Sequence, residues 1–93
     1  MSRQQDFLNA ARTGDQETFL NILNDQSINI NSNHADEDGS TVLIWAAFHG
    51  HGDIVNMHLA DGRVDLNQGD EYRMTALMWA AREGHAGIVN IRF

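Results

Sequence analysis

Apolar residues recur along this chain in short bursts, never in long runs. Leu43, Ala46 and Ala47 fall at i, i+3 and i+4, which puts them on one narrow face of a helix. Gly50, a residue that favours left-handed backbone, ends that helix. Ile54, Val55, Met57 and Leu59 form the apolar side of a second helix, which Gly62 is placed to cap. A polar connection rich in Asp, Asn and Gly follows, suited to turns. Neither helix can bury its face alone, so neighbouring pairs must stack.

The same burst recurs. Thr41-Val42-Leu43-Ile44-Trp45-Ala46-Ala47-Phe48-His49-Gly50-His51 is followed by Thr75-Ala76-Leu77-Met78-Trp79-Ala80-Ala81-Arg82-Glu83-Gly84-His85, at an offset of 34 throughout. The match continues from Ile54-Val55-Asn56 to Ile88-Val89-Asn90. A fainter copy lies upstream at an offset of 36, where Ala10-Ala11, Gly14, Leu23 and Asn29-Ile30-Asn31 match Ala46-Ala47, Gly50, Leu59 and Asp65-Leu66-Asn67. The two extra residues are expected in the polar 32–40 connection, where insertions cost little. The pattern predicts one all-α domain over 1–93: a starter unit at 1–31, a full repeat at 32–67 and a truncated one at 68–93. Helices are expected near 5–12, 16–24, 42–49, 52–60, 76–83 and 86–92.

These residues resemble the ankyrin repeat. Gly39-Ser40-Thr41, Leu43, Ala46-Ala47, Gly50-His51, Ile54-Val55, Leu59, Gly62 and Asp65-Leu66-Asn67 follow its pattern, and Thr75, Leu77, Ala80-Ala81, Gly84-His85 and Ile88-Val89 follow it again. The resemblance implies a solenoid of helix-turn-helix units whose β-hairpin or loop fingers project sideways. It implies protein–protein binding on the concave face formed by fingers and first helices, an intracellular and cytoplasmic setting, and no enzymatic activity. Several positions depart from the pattern. Val42 and Ala76 replace its Pro, Ile44 and Met78 its His, Arg73 a finger glycine, and His58 the first Leu of a Leu-Leu pair. The context of Asn67 resembles that of hydroxylated ankyrin asparagines, but hydrogen bonding across the finger base is the favoured role.

Composition narrows the function. The formal charge is −7, which argues against nucleic acid, since phosphate binding needs clustered Lys and Arg. No apolar run approaches the roughly 20 residues of a membrane helix, so no membrane association is expected. Cysteine is absent, which excludes disulfides and thiolate sites. His51 and His85 fall at the Gly-His position that orders the turn between helices. With His34, His49 and His58 they make no convincing metal set, and no cofactor is expected. Ser27, Ser32 and Ser40 have no patterned base, so catalysis is not expected either.

The candidate chemistry is a surface. Trp45 and Trp79 occupy equivalent first-helix positions, as binding anchors or as core. Phe48-His49 and Arg82-Glu83 fill the two free positions of their helices. Asp36-Glu37-Asp38 and Asp70-Glu71 sit at corresponding finger tips, beside Tyr72 and Met74. The expected contact set is Glu37, Asp38, Trp45, Phe48, His49, Glu71, Tyr72, Met74, Trp79, Arg82 and Glu83, facing a protein partner with a basic surface. The alternative is a building block that self-associates, as a homodimer, through an uncapped C-terminal face of Leu77, Ala81, Ile88, Ile91 and Phe93.

Overall fold

The computed structural model describes residues 3–25, 27 and 34–91. It contains six helices among these residues: α1 (Arg3–Thr13), α2 (Gln16–Leu23), α3 (Val42–Phe48), α4 (Gly52–Asp61), α5 (Ala76–Arg82) and α6 (Ala86–Val89). All six expected helices are present. The last is shorter than expected, ending at Val89 with Asn90 as its C-cap. The Asn29-Ile30-Asn31 match, part of the expected insertion, and Phe93 lie outside the described residues. The fingers contain no strand among the described residues; one antiparallel bridge joins Ala35 to Thr41.

Local chemistry sets the helix starts. Asp15, Thr41 and Thr75 each cap a helix by accepting the backbone N–H of Thr18, Ile44 and Met78. A common turn links the helices of each pair, with the N–H of Asp15, His51 and His85 donating to the carbonyls of Ala10, Ala46 and Ala80. Gly14, Gly50 and Gly84 hold this turn open at positive φ.

The first helices α1, α3 and α5 pack side by side in one layer, and α2, α4 and α6 in a second. The alanines allow the close approach: Ala11, Ala47, Ala76 and Ala80 are fully buried. Phe7 and Phe19 stack at 4.5 Å between centroids at the N-terminal end of the core, and His58 meets both edge-on. Repeat-equivalent residues reveal which face each unit offers to its successor. Leu8 and Ile44 are buried, yet their equivalent Met78 is 50% exposed; Val55 is buried, yet Val89 is 39% exposed. Ile88 differs from expectation: it is buried against the preceding unit, and Ile91 packs on the same core. The outward face is therefore made by Leu77, Met78, Ala81 and Val89.

Candidate functional site

Two fingers project from the helical layers, one over residues 35–41 and one over 70–75. An aspartate organises each. The Asp36 carboxylate accepts from the N–H of Asp38 and Ser40 and from the indole Nε1–H of Trp45 at 2.8 Å. The Asp70 carboxylate accepts from the N–H of Tyr72 and Met74 and from Trp79 Nε1–H at 2.7 Å. Burial pushes Asp70 upward, but the hydrogen bonds from Met74, Trp79 and Tyr72 outweigh it and hold the carboxyl below its ordinary value. Asp36 and Asp70 are thus turned inward as finger clasps and do not belong to the free acidic surface.

The fingers are joined directly, Glu71 N–H donating to the Asp38 carbonyl at 3.0 Å. Gly39 marks the contact: at φ +77°, a Cβ there would meet Glu71 N at 3.0 Å. Arg73, its equivalent, adopts φ +64°, so an arginine occupies the left-handed conformation that the pattern reserves for glycine. Its side chain is exposed.

Between the fingers lies a groove of about 240 Å³. Trp45, Phe48, Tyr72 and Trp79 supply its aromatic surface, Asp38 and Glu71 its carboxylates, and Ser40 and Ile44 complete the lining. Both tryptophans are half-buried, packed on the core with one side and lining the groove with another. Phe48 meets both indoles edge-on, at 6.3 Å to Trp45 and 5.2 Å to Trp79. Tyr72 is 73% exposed. Its hydrogen bond with Glu71, reinforced by the charges of Glu71, Asp38 and Asp70, raises the phenol above its ordinary value.

Six residues of the expected contact set thus share one groove: Asp38, Trp45, Phe48, Glu71, Tyr72 and Trp79. Glu37 lines an adjoining groove with Arg12, His34 and the other side of Trp45. His49 is exposed and stacks on Trp45 at 5.4 Å; burial, then the charges of His51, Arg12 and His85, lower its basicity. Arg82 lies over Trp79, Met74 is tied to the Asp70 clasp through its backbone, and Glu83 is exposed outside the groove.

His51 and His85 act between units. His51 Nε2 bonds the Arg12 carbonyl at 3.1 Å, and His85 Nε2 the Phe48 carbonyl at 2.9 Å. Each ring rests on the preceding unit's glycine, where a Cβ on Gly14 or Gly50 would come within 2.8 Å. The sequence reading placed these rings in their own turns. It also overlooked the two aspartate clasps, although Asp36 and Asp70 each stand nine residues before a tryptophan. Asn67 is exposed, its backbone N–H bonded to Asp65. Among the described residues no helix is long and apolar enough to cross a membrane.

A family model described as ankyrin repeats (3 copies) matches residues 7–91. A comparison with curated proteins found no match. Among solved structures, the complex of the predatory endopeptidase Bd0816 from Bdellovibrio bacteriovorus with the immunity protein Bd3460 contains a similar chain, the ankyrin-type immunity protein. It is 31% identical, with a TM-score of 0.80, and the match covers 90% of this chain and 42% of that one. This chain therefore spans less than half the length of that neighbour.

Proposed function

Because the chain belongs to the ankyrin-repeat family, we propose that it is a non-enzymatic interaction module that binds a protein partner through its concave finger and first-helix surface. The groove between the two fingers carries this reading: it gathers four aromatic side chains and two exposed carboxylates on one face. Rigid aromatics supply contact area at low entropic cost, and the carboxylates favour a partner with a basic surface. The similar immunity protein was solved in complex with an endopeptidase, which accords with a protein as ligand. A net charge of −7 disfavours nucleic acid as the ligand.

The test is site-specific photo-crosslinking in the producing cell. A photoreactive phenylalanine at Phe48 or Tyr72 should give one defined adduct, and the same group at Asn21 or Asn56 on the second helices should give none. With the captured partner purified, Glu37→Lys with Glu71→Lys should slow association and weaken its salt dependence. Adducts only from the second helices would overturn the assignment.

A second reading is favoured by one observation. The outward face of the third helix pair exposes Leu77, Met78 and Val89, whose equivalents in the preceding pair, Leu43, Ile44 and Val55, are all buried. That face would join another copy or another unit.

A further inference from the structure

Positions 12, 48 and 82 are equivalent in the repeat, and they carry Arg, Phe and Arg. Arg12 Cζ lies 5.8 Å from the Trp45 ring centroid, and Arg82 Cζ lies 5.6 Å from that of Trp79. Phe48 sits between the two indoles and contacts both. A column along the first helices thus runs Arg12, Trp45, Phe48, Trp79, Arg82, with cations at its ends and none in the middle. The middle is where the fingers bring Asp38 and Glu71 into one cavity. Both are exposed, and neither is in an ion pair among the described residues. The indole N–H groups are already engaged by Asp36 and Asp70, so the ring surfaces need no further hydrogen-bond partner. No basic side chain lines this cavity.

Resting on the reading of this face as the partner surface, we infer that the slot lined by Trp45, Phe48, Tyr72 and Trp79 receives one arginine side chain of the partner, its guanidinium against the aromatic rings and paired with Asp38 and Glu71. A guanidinium is flat and weakly hydrated, stacks on aromatic faces, and presents a fork of N–H donors that matches a carboxylate. A lysine ammonium is a strongly hydrated point charge that uses neither the flat walls nor both carboxylates as well. Net charge favours the approach of either cation; the slot's shape and chemistry select arginine.

The probe is the blocked peptide acetyl-Gly-Arg-Gly-amide, titrated into the intact chain while NMR follows the indole N–H signals of Trp45 and Trp79. The arginine peptide should shift both signals. The same peptide with citrulline, matched in shape but uncharged, should not, and the lysine peptide should bind about fivefold more weakly. Phe48→Arg fills the slot with a cation that the equivalent positions 12 and 82 already tolerate, and should weaken arginine binding about tenfold. Asp38→Asn with Glu71→Gln changes only exposed groups, keeps the test valid should Phe48→Arg perturb folding, and should weaken binding similarly. Equal shifts with citrulline, or arginine binding unchanged in both variants, would overturn the slot. Crosslinking at Phe48 without arginine binding overturns the slot alone. Arginine binding with adducts only from the second helices overturns the partner face and the slot's role in it.

Discussion

At position 58 an imidazole stands where the repeat pattern has leucine, sealed completely from solvent against Phe7 and Phe19. Neither ring nitrogen has a hydrogen-bond partner. A buried polar atom without a partner costs on the order of 1–3 kcal/mol, partly offset here by the edge-on ring contacts. His58→Leu should therefore stabilise the fold by about 2 kcal/mol and raise Tm by roughly 10 °C in a thermal melt. The same burial pushes the His58 pKa down to about 4, with Arg63 adding to the fall and Asp61 opposing it. The unfolded chain protonates this ring near 6.5, so between 6.5 and about 4 the unfolded state binds more protons. Stability should thus decline as pH falls through that window, by about 3–4 kcal/mol in all at roughly 1.4 kcal/mol per unit. Exposed His49 titrates low as well, so the diagnostic is the difference between chains. Denaturant melts should show a shallower pH dependence in His58→Leu than in the wild type, and parallel curves would refute this account.

At the scale of elements, coupling between units runs through the histidine bridges as well as the apolar faces. The His85 ring spans from the α5–α6 turn to the Phe48 carbonyl and rests on Gly50. His85→Ala should remove that bond and leave a gap over Gly50, costing about 2 kcal/mol. Because α5 and α6 pack mainly on each other and on the preceding pair, the loss should be local. Hydrogen exchange should accelerate in α5 and α6 and change far less in α1 and α2. Uniform acceleration would mean that the three pairs unfold as one cooperative block.

For the molecule as a whole, the self-association reading turns on the outward face of the third pair. Leu77, Met78 and Val89 are exposed, and Val89 lines a shallow depression with Ala81, Gly84, Ala86 and Asn90. Gly84 has nothing within 4 Å of its would-be Cβ, whereas Gly14 and Gly50 each receive a histidine ring. Covering such apolar surface is favourable at ~25 cal/mol per Å². Sedimentation from micromolar to millimolar concentration should show reversible self-association, abolished by Val89→Asp with the helical signal retained. A single monomeric species throughout would remove the building-block reading. The sequence alone determined the helix pairs and their boundaries to within a few residues, because the spacing of apolar residues and glycines fixes which positions a helix can bury; it left Trp45 and Trp79 open between groove and core, and the fold puts them half-buried at the boundary of both. Tertiary structure alone decided the rest. Periodicity cannot distinguish a carboxylate turned inward from one facing solvent, so Asp36 and Asp70 emerged as clasps only once their fingers were folded against the indoles. Nor does a repeat register say which unit a ring will reach. His51 and His85 bond the preceding unit, Ile88 turns inward and Val89 outward, because those choices depend on how one pair docks against the next.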